Sequence, residues 1–150
     1  EWWFERIKAA TALFDITRID HFRAFDTYWK ISAECPTAIE GKWIEAPGYK
    51  LFDRLFKEMP DLQIIAEDLG VITADVVSLL KYSKMPGMRV FQFGFLEDGD
   101  NPHLPHNYPE NTVAYSGTHD NNTLLGYLFE CPYETRKRIF EYCSADGKDY

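Results

Sequence analysis

Arg18-Ile19-Asp20-His21-Phe22-Arg23 decides how the rest of this sequence is read. It follows a short apolar run, Ala12-Leu13-Phe14-Asp15-Ile16, and places an acid, two arginines and a histidine where the β-branched and aromatic residues stop. Successive side chains of a strand point to opposite faces, so Arg18 and Asp20 fall on one side. A strand that ends in this way aims a cation and a carboxylate into the same space. Two later stretches repeat the pattern of an apolar run closing on acid: Gln63-Ile64-Ile65-Ala66-Glu67-Asp68 and Val113-Ala114-Tyr115-Ser116-Gly117-Thr118-His119-Asp120.

Outward from these tips the chain reads as alternating elements. Trp3, Phe4, Ile7 and Ala10 have helical spacing, with no N-cap residue and no initiator Met ahead of them, which predicts a chain that starts inside a helix. The first strand is predicted over residues 12–19 and a short helical turn over 21–30. Residues 31–47 hold prolines and Gly41 with little periodicity and are predicted to be a long loop. Leu51, Phe52, Leu55 and Phe56 form the apolar stripe of a helix over 49–58. A buried strand follows at 62–66, then a helix capped by Thr73 with Val76, Val77, Leu79 and Leu80 as its buried stripe. After Pro86-Gly87, strands are predicted at 88–95 and 111–115, separated by a Gly/Pro/Asn/His loop at 99–109. Helices at 124–130 and 133–142 close the chain.

Strands alternating with helices predict an α/β fold of parallel βαβ units. The sequence has neither Gly-x-Gly-x-x-Gly nor a Walker loop, which removes support for a nucleotide-binding doubly wound sheet. Acids at successive strand ends suit a (β/α)8 barrel, whose active groups sit at the C-terminal ends of its strands. The predicted strands amount to half of one.

The chain of 150 residues is long enough for one ordinary domain with its own core. A net charge of −8 argues against nucleic acid and against anionic membrane surfaces, which both select basic proteins. No apolar run reaches the ~18 residues of a membrane span, and no secretory signal is visible. Cys35, Cys131 and Cys143 are widely spaced and odd in number, which predicts free thiols in a reducing compartment, the cytoplasm. Asn121-Asn122-Thr123 matches a glycosylation acceptor but lacks a secretory context. Aromatic residues make up 16% of the chain, either as an aromatic-rich core or as the lining of a cleft for ring-shaped ligands such as sugars.

Asp20, Glu67 and Asp120 at strand tips could hold a divalent cation or perform glycoside chemistry. Their surroundings favour the second. Arg18 beside Asp20 favours the ionised carboxylate that a nucleophile needs. Glu67 closes a very apolar run, where desolvation would favour the proton that a general acid must carry. Each feature also has a plainer explanation: a structural ion pair for Arg18 and Asp20, helix N-terminal charge for Glu67-Asp68, and a helix cap for Asp120-Asn121. His103 and His106 lie in a loop with no third ligand nearby, so no metal site is expected. Three acid-tipped strand ends occurring together carry the catalytic interpretation.

Arg18-Ile19-Asp20-His21-Phe22-Arg23, Ile65-Ala66-Glu67-Asp68-Leu69-Gly70, Pro86-Gly87-Met88-Arg89-Val90, Asn101-Pro102-His103-Leu104-Pro105-His106-Asn107-Tyr108 and Gly117-Thr118-His119-Asp120-Asn121 resemble the 4-alpha-glucanotransferases, or amylomaltases, of the α-amylase clan. The resemblance runs over essentially the whole chain. It implies a TIM barrel and transfer of α-1,4-glucan segments between maltooligosaccharides, with no cofactor. It implies Asp20 as nucleophile with Arg18 holding it, Glu67 as acid/base, and Asp120 as the transition-state-stabilising acid with His119 beside it. His21 and Asn121 are implied substrate contacts, and Phe93 with the loop 103–108 implied acceptor-side ones. Residue 24 is Ala where Gly is common in the family.

Members of that family are several times longer. The resemblance covers a stretch of one catalytic barrel domain, from just before the fourth strand to just after the seventh. Half a barrel exposes two strand edges, so as a separate piece it is expected to be inactive and prone to self-association. An α-glucan hydrolase of the same clan, a non-catalytic glucan-binding or purely structural piece, and a carboxylate metal enzyme are the rival readings.

Overall fold

The computed structural model describes residues 1–97 and 99–146. The chain forms two units, Glu1–Gly87 and Met88–Tyr150, and each is taken by itself.

The first unit begins with α1 (Trp2–Thr11). The chain then turns tightly, Leu13 and Phe14 both donating backbone N–H groups to Ala10 O (3.0 Å each). The predicted strand at 12–19 therefore shortens to β1 (Thr17–Ile19), and Leu13, Phe14 and Ile16 are exposed. Apolar composition suggested a strand there, but those backbone groups close the end of the helix instead. A 3-10 turn (Phe22–Phe25) follows, as expected, but ends early and gives way to β2 (Thr27–Lys30). The predicted loop at 31–47 contains β3 (Lys42–Glu45), which pairs antiparallel with β2 and sets Trp29 opposite Trp43. The two indoles meet edge to face with centroids 5.4 Å apart. Gly41 passes so close to Trp29 that a Cβ would lie 2.7 Å from the ring, so the hairpin closes there only without a side chain.

α2 (Gly48–Glu58), β4 (Ile64–Ala66) and α3 (Ala74–Ser83) lie where the sequence puts them. The Thr73 hydroxyl caps α3 by accepting the Val76 N–H at 3.4 Å. β1 and β4 are parallel, in the register Thr17↔Ile64, Arg18↔Ile65 and Ile19↔Ala66. Behind them a core of Phe4, Ile7, Phe22, Phe25, Phe52, Leu55, Ile64, Val76 and Leu79 excludes water. Phe22 and Phe52 stack at 5.6 Å, and Phe25 tilts against Phe52 at 5.4 Å. Part of the aromatic excess is therefore core. Another part, Trp2, Trp3 and Tyr28, lines a groove of about 530 Å³ beside the start of α2.

The second unit contains β5 (Gly87–Val90, whose first residue closes the first unit) paired with β6 (Thr112–Tyr115). The strand expected to run to residue 95 stops at Val90 and tightens into a 3-10 turn (Phe91–Phe95). The reason is contact with a later segment: Gly94 lies against the backbone of the 101–107 loop, where a Cβ would sit 2.7 Å from His103 O. The Asn101 amide also donates to Phe93 O at 3.1 Å. A short 3-10 turn (Pro105–Asn107), α4 (Leu124–Glu130) and α5 (Tyr133–Cys143) complete the unit, around a small core of Phe95, Leu104 and Ile139. Among the described residues there are six strands rather than four, the additional pair being the hairpin β2–β3 and not part of a βαβ unit. No described helix is long and apolar enough to cross a membrane, and the cysteines are free thiols.

Candidate active site

Parallel pairing of β1 with β4 levels their C-terminal ends, so the residues that follow, Asp20 and Glu67, leave adjacent strands side by side. The backbone stitches this level together. Glu67 N–H donates to Ile19 O (2.9 Å), and Phe22 N–H donates back to Glu67 O (3.0 Å). Between them His21 adopts a left-handed conformation, φ 49° and ψ 58°. That conformation is uncommon for a residue with a Cβ. It turns the His21 N–H onto the Glu67 carboxylate, with Oε2 accepting at 2.7 Å. Oε1 of the same carboxylate accepts from Leu69 N–H at 2.8 Å. Both oxygens of Glu67 are thus held by main-chain donors that carry no side-chain freedom.

Arg18 and Asp20 meet as the alternation predicts, Nη1 to Oδ1 at 3.0 Å, and the Asp20 side chain is 77% exposed. A bond so exposed stabilises the fold by about 0–1 kcal/mol at most, so its evident effect is orientation. Glu67 is half-buried, and its neighbour Asp68 lies deeper in the interior, 8% exposed. Gly87 makes room for it, since a Cβ there would lie 2.6 Å from a carboxylate oxygen of Asp68.

The other sequence-selected residues belong to the second unit. His119 Nε2 lies 3.4 Å from Asp120 Oδ1, and both side chains are largely exposed. The loop carrying them is braced by Asn121, whose Oδ1 accepts from both Thr118 N–H and Thr118 Oγ1 at 2.9 Å. Thr118 Oγ1 in turn accepts the Asp120 N–H at 3.2 Å. Asn121 therefore braces the loop that presents Asp120. Phe93 is half-buried and packs edge to face against His103 at 5.5 Å. His103 Nδ1 accepts the Val90 N–H at 3.0 Å, and His106 Nδ1 lies 2.8 Å from the Tyr142 hydroxyl. Both histidines expected in this loop are thus engaged with protein groups. Burial and the neighbouring Tyr142 raise the ionisation of the Tyr108 phenol above its ordinary value, with Arg89 opposing.

One charged residue of the opening motif, Arg23, has no role assigned from the sequence. Arg23 Nη1 donates to Val71 O (2.6 Å), and its guanidinium lies 4.7 Å from the centroid of the Trp43 ring. Only the pairing of distant segments exposes it. The sequence signal was slight, a second arginine within the acid-bearing motif.

The profile of the 4-alpha-glucanotransferase family matches residues 1–150. The chloroplastic/amyloplastic 4-alpha-glucanotransferase of Solanum tuberosum is 50% identical over 143 residues, 95% of this chain and 25% of that protein. The 4-alpha-glucanotransferase of Thermus thermophilus is 50% identical over 135 residues, 88% of this chain and 27% of its own. The amylomaltase of Streptococcus agalactiae, solved in complex with acarbose, superposes with a TM-score of 0.92 at 38% identity. That superposition covers 100% of this chain and 30% of the amylomaltase, and the fold is accordingly a partial α/β barrel. The chain spans about a quarter to a third of the length of these relatives. It belongs to the 4-alpha-glucanotransferase family.

Proposed function

We propose that these 150 residues are part of the catalytic barrel domain of a longer 4-alpha-glucanotransferase, which moves α-1,4-glucan segments between maltooligosaccharides or onto glucose. The observation that carries this is the level pairing of the β1 and β4 ends, with Glu67 held by the N–H of the residue after Asp20. The acarbose complex of the amylomaltase supports an oligosaccharide ligand.

The reaction is a retaining double displacement. An Asp20 carboxylate oxygen bonds to the anomeric carbon as the glycosidic C–O bond breaks, and the departing glucan oxygen takes the Glu67 proton. Arg18 keeps the Asp20 carboxylate oriented. The acceptor hydroxyl then gives its proton to Glu67 and bonds to the anomeric carbon, and the ester to Asp20 breaks. Asp120 and His119 grip ring hydroxyls as the sugar flattens. His21, Phe93 and Asn121 contact or frame the substrate. Neither a metal nor an organic cofactor enters the scheme.

The piece by itself is about half of the barrel and is inactive, and its open strand edges lead it to self-associate. The free thiols suit a reducing compartment such as the cytoplasm.

The test is a maltotriose assay on the full-length protein, with Asp20→Asn as control. Glucose together with longer maltooligosaccharides, lost in the control, supports transfer. Reducing sugar without redistribution of chain lengths means a hydrolase. No turnover of any maltooligosaccharide overturns the assignment. A structure of the full-length protein should place the Asp20 and Glu67 carboxyls about 5–5.5 Å apart.

A further inference from the structure

The segment after Asp20 crosses the segment after Glu67 at successive points. The first contacts, described above, are backbone contacts or end on the Glu67 carboxylate. The last is different in kind: the Arg23 side chain reaches forty-eight residues along the sequence to Val71 O, on the far side of Glu67-Asp68-Leu69-Gly70. Gly70 has φ +83° and the Val71 side chain is exposed, so the chain turns there with no packed side chain until Ile72, which lies against the core of the first unit. Arg23 adds a side-chain anchor at Val71 itself. Its guanidinium is in turn laid against Trp43 of β3, whose ring meets that of Trp29 on the same face of the hairpin, and the Trp29 indole N–H donates to Ala38 O in the connecting loop at 2.9 Å.

The geometry points to Arg23 as a positioning residue for the acid/base, an inference that rests on the transferase reading above. Arg23 fixes the Glu67–Val71 loop against the segment that carries the nucleophile, and so fixes where the Glu67 carboxyl stands when it delivers its proton. Trp43 presets the guanidinium, since a planar cation stacked on an indole face loses little freedom on bonding to a carbonyl. The β2–β3 hairpin thereby becomes part of the catalytic support.

A merely structural arginine and a positioning one differ in how a variant treats donors with different leaving groups. A glucosyl leaving group needs the Glu67 proton for the first displacement, whereas fluoride departs with little acid assistance. The experiment compares kcat/KM for maltotriose with that for α-maltosyl fluoride, followed by fluoride release. The proteins are the full-length enzyme and its Arg23→Ala, Arg23→Lys and Trp43→Leu variants. Arg23→Ala should lose about 10- to 100-fold on maltotriose and less than about threefold on the fluoride. Arg23→Lys, which keeps a donor for Val71 O, should recover part of the loss, and Trp43→Leu should show the same donor-dependent pattern more weakly. Equal losses on both donors, or none on either, overturn the inference. If Arg23→Ala does not fold, Arg23→Lys and Trp43→Leu decide by the same ratio. A wild-type enzyme inert towards both donors would instead defeat the transferase reading.

Discussion

The two units hold their acids by different means. In the first, Glu67 hangs on main-chain N–H groups, and its level beside Asp20 is set by the register of two parallel strands. In the second, Asp120 sits at an exposed turn, its side chain 81% exposed, in a loop kept in shape by the side chains of Thr118 and Asn121. The cores behind them differ as well, a broad aromatic one against a small one. Placement by backbone register tolerates side-chain substitution, because every residue type except proline supplies the same N–H and C=O groups. Placement by side chains does not. The chemistry proposed for each acid matches this. A nucleophile and an acid/base must keep a separation through bond making and breaking, whereas an acid that grips ring hydroxyls can follow the sugar.

The largest effect should come from the acids themselves. Asp20→Asn in the full-length protein should lower maltotriose turnover at least about 1000-fold while leaving the melting temperature nearly unchanged, because the side chain is exposed. A loss within tenfold would remove Asp20 as nucleophile and with it the meaning of the strand-end register.

Next in size is the core behind that register. Phe52 is fully buried and stacks between Phe22 and Phe56. Phe52→Ala should destabilise by about 3–5 kcal/mol, read from denaturant midpoints. If the loss is below about 1 kcal/mol, the aromatic core does not support the β1–β4 level.

Asn121 tests the other half of the contrast. Asn121→Ala removes the acceptor for two bonds from Thr118, about 1–2 kcal/mol, and should lower turnover about tenfold by releasing Asp120. Asn121→Asp keeps Oδ1 and should restore much of both. Equal activity in all three proteins would mean that the loop is shaped by its backbone after all.

The smallest effect is in alkaline solution. Burial is the main reason the Tyr127 phenol ionises above its ordinary value of about 10. The nearby Cys131 adds to the rise and Arg138 opposes it. A raised folded-state value means that this contribution to stability is fully present below the ordinary value and is lost as pH rises through the folded one. Tyr127→Phe should therefore lose melting temperature less steeply than wild type above about pH 10. Parallel pH–stability curves for the two proteins would show that the second unit's small core does not desolvate this ring.

The long periodic stretches were legible in the sequence. α2 and α3, the Thr73 cap, the buried strand before Glu67 and the strand ending at Tyr115 follow from apolar spacing and capping chemistry, which act over a few residues. The Arg18–Asp20 pair was legible for the same reason, since two residues on one strand are neighbours whatever else the chain does. The three acids were singled out because each ends an apolar run, and the family followed from motif order. Where local signals competed, tertiary contacts decided. Residues 91–95 have strand composition yet coil into a 3-10 turn because Gly94 packs on the 101–107 loop. β3 exists because Trp43 finds Trp29 across a hairpin. Asp68 rather than Glu67 is buried because Gly87 leaves space for its carboxylate. Arg23 has a partner only because Val71 and Trp43, distant along the chain, converge on it. Sequence by itself determined what can be fixed within one turn or one strand. The pairing of distant segments, whose gain in contacts must exceed the entropy of closing the chain between them, belonged to the tertiary structure alone.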